Sequence, residues 1–287
     1  MDVAVVGAGT VGTAVAVLLG RAGHRIVAVA GRAETRERAA RYLPGVEFVR
    51  ALEAAAAATL VVIGTPDDAV EPVAADLAAA GAVGPGTTVV HLSGSLGVDT
   101  LRAARDAGAI VLSVHPLQTF PDVDAALERL PGSPVAVTAE TDEGYVLGER
   151  LAKDLGATPF RLDEELRPLY HAAAVFASNY LVTTSAIAES LFGAAGVPDP
   201  AATMAPLQRA SLEHVERLGA ATALTGPAVR GDAGTIRRNL EALARHAPAT
   251  VPAYVAMARA SLELAERSGR LVPGVRAAVE DVLDAWT

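Results

Sequence analysis

Six residues near the N-terminus constrain this chain more than any other stretch. Gly7-Ala8-Gly9-Thr10-Val11-Gly12 fits the pattern G-x-G-x-x-G. Alone, the pattern is weak, because glycine-rich chains contain it by chance. Here it follows an apolar run at 3–6, opens a helical pattern at 10–21, and precedes a second apolar run at 25–30. Strand, glycine turn, helix and strand form the βαβ setting of a dinucleotide fingerprint. Gly7 would permit the tight turn, Gly9 the approach of backbone to a diphosphate, and Gly12 close helix–strand packing. The phosphates would lie at the positive end of the helix beginning at Thr10, beside Val11. The alternative is a glycine-rich turn that holds nothing.

The rest of the first half repeats this alternation. Strand-like runs fall at 46–49, 59–63, 87–91, 110–114, 135–138 and 158–162. Helical patterns lie between them at 33–42, 67–80, 98–107 and 142–155, with one turn at 54–58. That order predicts an α/β domain with a doubly wound parallel sheet. From Asp163 onward the strand signal stops. Asp163 with Glu164 and Glu165 suits the start of one long helix over 163–191. Further helices are expected at 201–218, 233–245, 251–267 and 275–286. The expectation is therefore a Rossmann domain over 1–162 and an all-helical domain over 163–287.

Bulk properties exclude several roles. The net charge is −9, with 24 basic and 33 acidic residues, and aromatic residues make up 4%. A nucleic-acid or anionic-membrane partner gains nothing from such a surface. Cysteine is absent, which excludes disulfides and thiol catalysis. The N-terminus shows no signal peptide, and no apolar run is long enough to span a bilayer. A cytoplasmic location is the expectation. The histidines are scattered without metal-ligand spacing, so no metal site is expected. Ser93-Gly94-Ser95 lacks the G-x-S-x-G elbow of a serine hydrolase.

The ends of the strands carry the functional signal, because ligands in such sheets bind beyond the carboxyl ends. The second strand ends at Ala30-Gly31-Arg32. An acidic residue there would suit the ribose of NAD, whereas Arg32 can form a fork to a 2′-phosphate and favours NADP. A solvated surface arginine is the alternative. Thr65 and Pro66 follow the fourth strand, and Ser93 and Gly94 the fifth. They are expected at the cofactor, although turn and helix-cap roles fit Thr65 equally.

For proton transfer the residues offer His171 first. Ser178 lies two helical turns further on nearly the same face, with Asn179 beside it. The alternative is a helix-packing histidine with polar interhelical neighbours. His115, after the sixth strand and before Pro116, is the second candidate. Gln118 and Thr119 could orient a substrate. Thr225 and Arg230 lie in a turn-and-helix segment suited to a carboxylate, or Arg230 forms an ion pair instead. His91 reads as structural, or as a wall of the cofactor site.

Together the tracts 7–12, 64–67, 91–95, 115–120 ("HPLQTF"), 171–181 ("HAAAVFASNYL") and 224–232 ("LTGPAVRGD") resemble a bacterial family of Rossmann-like proteins with a C-terminal helical domain of unknown function. The resemblance covers nearly the whole chain. The family is similar in architecture to pyrroline-5-carboxylate reductase and the 6-phosphogluconate dehydrogenase-like group. It implies reduction of a C=N or C=O bond beside a carboxylate by NADPH or NADH, and a homodimer through the helical domain. Some members are associated with ketopantoate reduction in pantothenate synthesis. The chain departs from the related hydroxyacid dehydrogenases in having no lysine after Lys153, where their long helix carries a catalytic one. The resemblance thus implies an NADPH-dependent reductase of a small 2-oxo acid. An imine reductase and a non-catalytic NADP-binding protein are the alternatives.

Overall fold

The computed structural model describes residues 1–272 and 274–286. It divides into two compact units, Met1–Asn179 and Tyr180–Thr287.

The first unit follows the alternation of the sequence. Its elements are β1 (Asp2–Val6), α1 (Thr10–Arg21), β2 (Arg25–Ala30), α2 (Arg36–Tyr42), β3 (Glu47–Phe48), α3 (Ala51–Ala56), β4 (Leu60–Ile63), α4 (Asp67–Ala79) and β5 (Thr88–His91). They continue with α5 (Arg102–Asp106), β6 (Ile110–Pro116), α6 (Val123–Arg129), β7 (Pro134–Ala139), α7 (Asp142–Asp154), β8 (Thr158–Arg161) and α8 (Arg167–Ala177). All eight strands join one sheet in the order β3-β2-β1-β4-β5-β6-β7-β8. The chain reverses direction of winding beside β1 and β4, the switch point at which such sheets open a crevice. The central strands read as unbroken apolar runs because both faces are covered. One cluster packs Val3, Val5, Leu60, Val62 and Leu112 under α1 and α7. The other packs Ala4, Val61, Ile63, Val89 and Leu101 under α3 and α4.

Two expectations need correction. The sheet is not wholly parallel, because β6 and β7 pair antiparallel, with Val114 opposite Val137. The short α6 between them packs Val123 and Ala126 against Ala14 of α1 rather than crossing the sheet. The chain therefore enters β7 from the end where it left β6. The long helix expected over 163–191 is also broken. A short turn at Glu164–Leu166 leads into α8, which stops where Ser178 leaves helical geometry at φ −123°, ψ −68°. The strand pattern ends near Leu162, but the first unit continues to Asn179. Buried Arg167 ties α8 to it through Thr138 of β7 and the backbone after β5.

The second unit is helical: α9 (Asn179–Ala194), α10 (Pro200–Leu218), α11 (Ala220–Ala223), α12 (Pro227–Arg230), α13 (Ala233–His246), α14 (Val251–Arg267) and α15 (Val275–Asp284). Its core gathers Ile236, Leu240, Val255, Leu262, Val279 and Leu283 from α13, α14 and α15. Asp232 caps α13, accepting the Thr235 backbone N–H at 2.9 Å. No described helix is long and apolar enough to cross a membrane.

Candidate functional site

Two pockets of the first unit collect most of the residues singled out by the sequence. The first lies beyond β1, β2 and β4 and has a volume of about 660 Å³. Gly7, Gly9, Thr10, Val11, Gly31, Arg32, Thr65 and Pro66 line it. Gly7 and Gly12 of the fingerprint each have a separate steric reason within the fold. Gly7 has φ +105°, and a Cβ there would fall 2.5 Å from the Gly64 carbonyl carbon. A Cβ on Gly12 would fall 2.2 Å from the Gly7 oxygen, so α1 can sit this close to β1 only with glycine. At Gly9 a Cβ would meet nothing within 4 Å. Gly9 is thus the fingerprint position where the fold itself does not demand glycine, and the space beside it belongs to the pocket.

The polar groups around that space fit a dinucleotide. No side chain caps α1, so its first amides are available to an anion. The Thr65 hydroxyl is buried and has no hydrogen-bond partner in the protein. Arg32 faces the same pocket, largely exposed, with its guanidinium 3.1 Å from Glu34. Arg50, not anticipated from the sequence, lines it too and pairs with Glu53 at 2.9 Å. Its signal was positional: it follows β3 as Arg32 follows β2.

The second pocket, of about 470 Å³, is lined by His115, Gln118, Thr119, Tyr170, His171, Ser178 and Asn179, with alanines of α8 as its apolar wall. The structure thus brings together six residues chosen from two distant tracts. Tyr170 completes them and was missed, because a tyrosine beside a histidine on a helix carries no distinguishing pattern. Its hydroxyl lies 2.8 Å from His115 Nδ1, and the two rings meet edge-on at 5.6 Å. Phe160 meets the Tyr170 ring edge-on at 6.0 Å.

Burial and charge set the protonation here. Burial first, then the nearby Arg167 guanidinium and His171, push His115 down to about 4. Burial pushes Tyr170 up to about 12 against the pull of Arg167. Both groups are therefore neutral across the physiological range. Arg167 itself is almost wholly buried, donating to Thr138 Oγ1 at 2.8 Å and to the Ser93 carbonyl at 2.5 Å. His171 keeps a buried Nδ1 without a partner in the protein.

The loop after β5 packs against the His115 ring. A Cβ on Gly94 would fall 2.7 Å from the His115 ring, so glycine there makes room for the imidazole. Ser93 Oγ accepts the Ser95 and Leu96 amides at 3.2 and 3.1 Å, and Ser95 donates to Asp67 at 2.6 Å. His91 is enclosed, donating from Nε2 to the Gly97 carbonyl and accepting the Ser93 amide at Nδ1, both at 3.2 Å. Burial, with Arg167 adding to it, holds His91 down to about 3. Its ring is fully used in bracing the loop.

Thr225 and Arg230 lie in the second unit, at the entry and end of α12, and both are exposed. No group of histidines and carboxylates able to hold a metal occurs among the described residues.

Comparison with known proteins agrees with this layout. Residues 1–116 match the Rossmann-like domain, and residues 133–261 match a domain of unknown function, DUF2520. The two matches follow one another along the chain, one at its N-terminal part and one beyond it. Among proteins of curated function there is no significant match. Among solved structures, the chain is similar to a Bacteroides fragilis protein provisionally assigned as an NADP oxidoreductase. Identity is 26%, covering 91% of this chain and 98% of that one, with a TM-score of 0.72. It is similar to protein TM1727 of Thermotoga maritima at 22% identity, covering 93% and 100%, with a TM-score of 0.72. The imine reductase of Myxococcus stipitatus in complex with NADP+ shares 15% identity over 100% and 99% of the chains, with a TM-score of 0.66. At their identities, the last two likenesses concern the fold. The DUF2520 match begins ahead of β7, so α8 and the His171 tract fall inside it.

Proposed function

We propose that this Rossmann–DUF2520 protein is an NADP(H)-dependent oxidoreductase that reduces a C=O or C=N bond of a small molecule. The observation that carries the reading is the open space at Gly9, where the fold needs no glycine and a diphosphate does. The uncapped amides of α1 and the unpartnered Thr65 hydroxyl would hold the diphosphate and adjoining groups. Arg32, aided by Arg50, would face a 2′-phosphate. The likeness to the Bacteroides protein and to an NADP+-bound imine reductase supports the same cofactor. Bound there, a reduced nicotinamide supplies hydride.

The residues of the His115 pocket then act on the substrate. Gln118, Thr119, Ser178 and Asn179 provide hydrogen bonds for orienting it, and His171 presents a polar edge. His115 lies on the route of the proton that reduction requires. Thr225 and Arg230 remain candidates for a substrate carboxylate. The resemblance to ketopantoate-reducing proteins makes a small 2-oxo acid the first substrate class to try. A cyclic imine is the second reading, favoured by the whole-chain likeness to an imine reductase.

The test is NADPH oxidation by the purified chain against 2-oxo acids, ketopantoate included, and cyclic imines. Turnover of an oxo acid or an imine decides between the two classes. NADPH binding with no turnover of either class would instead support a non-catalytic NADP-binding protein. We also propose a homodimer through the helical unit. Among the described residues of α9 none is buried, and Val182 of α9 and Leu207 of α10 are two-thirds exposed. Light scattering at micromolar concentration should give twice the chain mass; a monomer mass would refute pairing.

A further inference from the structure

We propose that Tyr170 is the catalytic acid of this site, donating its phenolic proton to the substrate, and that His115 is the positioning residue that orients and reprotonates it. The proposal rests on the oxidoreductase reading above and assigns a role within it.

Three observations single out this pair from the polar groups of the pocket. First, the hydroxyl of Tyr170 is hydrogen-bonded to His115 Nδ1 at 2.8 Å, and both residues line the cavity. Second, the pair is held from outside. Phe160 braces the Tyr170 ring, and the His115 ring rests on Gly94, where any side chain would collide with it. The missing side chain at Gly94 lets the imidazole lie against that backbone. Third, His171, the other titratable group in the pocket, has a buried Nδ1 with no partner. It therefore has no relay behind that nitrogen from which to recover a proton.

The step balances as follows. Hydride adds to the carbon of the C=O or C=N bond, and its electron pair forms the new C–H bond. The displaced π pair stays on oxygen or nitrogen and takes the Tyr170 proton. The phenolate recovers a proton from His115 Nδ1 as Nε2 takes one from solvent. After product leaves, loss of the Nε2 proton to solvent with return of one to Nδ1 restores the starting tautomer, so that solvent supplies one proton net. The electrostatics suit this. Arg167 and His171 of α8 oppose a positive charge on His115, Asp67 of α4 favours it weakly, and burial outweighs all three. The imidazole thus passes a proton without storing one. Arg167 also draws the phenolate form of Tyr170 toward stability.

The relay requires a defined tautomer. His115 must carry its proton on Nδ1, donating to the Tyr170 oxygen, so that the phenolic hydrogen points into the pocket. Nitrogen-15 NMR of the full-length, histidine-labelled protein saturated with NADP+ reads this without any substrate. The expected result is the Nδ1–H form, shifting toward Nε2–H in Tyr170→Phe. A wild-type His115 in the Nε2–H form, with Tyr170 donating to it, would overturn the proposal. With whichever substrate the panel yields, Tyr170→Phe should lower kcat by about 10²–10⁴-fold while leaving the NADPH Kd unchanged within about twofold. Undiminished turnover in that variant would equally overturn it. His115→Asn retains an amide N–H near the Nδ1 position and should recover part of the activity lost in His115→Ala; equal losses in both would contradict the positioning role. If the wild-type chain does not bind NADP+ at all, the oxidoreductase reading fails, and the proposal with it. Binding with the wrong tautomer sinks the proposal alone.

Discussion

The two pockets of the Rossmann unit are built by opposite means. The pocket at the end of β1 is made of backbone: glycines at 7, 12 and 31 bring chain segments closer than any side chain would allow. The His115 pocket is made of side chains held by other side chains. Tyr170 and Arg167 of α8, Ser93 after β5 and Asp67 of α4 act on it from three separate segments. A backbone pocket carries no titratable group in its frame and depends on a few positions absolutely. A side-chain pocket is responsive to pH and fails by degrees.

The largest expected consequence follows from the histidines. His91 and His115 titrate near 3 and 4 in the folded chain and near 6.5 when unfolded. Below pH 6.5 the unfolded chain binds protons that the native one does not, so stability falls as pH drops from about 6.5 to 4. At about 1.4 kcal/mol per pKa unit, the two together amount to several kcal/mol. Urea melts at pH 7 and pH 4.5 should show it, and His91→Gln should flatten the slope. A pH-independent midpoint over that range would mean the histidines are not held neutral by the fold.

Next in size is the backbone pocket itself. Gly7→Ala forces a positive φ on alanine and a 2.5 Å approach to the Gly64 carbonyl carbon. The expected loss is on the order of 3 kcal/mol, read as a lowered urea midpoint. A midpoint equal to wild type would show that the turn can relax.

The contrast between the pockets also explains what could be read from the chain. The backbone pocket is local: Gly7 to Gly12 follow one another, and glycine is recognisable by type. The central strands β1, β4 and β5 were legible for a similar reason, since strands buried on both faces are apolar runs rich in Val and Ile. The strand at β7 was legible too, but its antiparallel direction was not, because direction depends on how the chain returns to the sheet after α6. Nor was the break at Ser178, since the apolar pattern continues through it. His115 and His171 stood out as titratable residues after a strand and on a helix. Tyr170 and Arg167 did not, because their meaning comes from contacts 55 and 74 positions away in sequence. Nothing in an isolated Arg-Pro-Leu-Tyr-His reveals that the arginine is buried.

Smaller effects refine the cofactor assignment. Arg32→Gln should raise the NADPH Kd about tenfold, the share of one exposed charge-assisted contact, and leave NADH unchanged. An equal effect on both dinucleotides would remove Arg32 from the 2′-phosphate. Thr65→Val should be nearly neutral for folding, because the hydroxyl has no protein partner to lose. It should still weaken NADPH binding a few-fold, about 1 kcal/mol, and unaltered affinity would place the hydroxyl away from the ligand.

The central claim concerns Gly9, and one titration meets it directly. Its absent side chain faces open space, so Gly9→Val should fold with a thermal midpoint close to wild type. Fluorescence titration with NADPH should then show binding by the wild-type chain and none by the variant. Equal NADPH affinity in both proteins would mean that no diphosphate occupies the space at the head of α1.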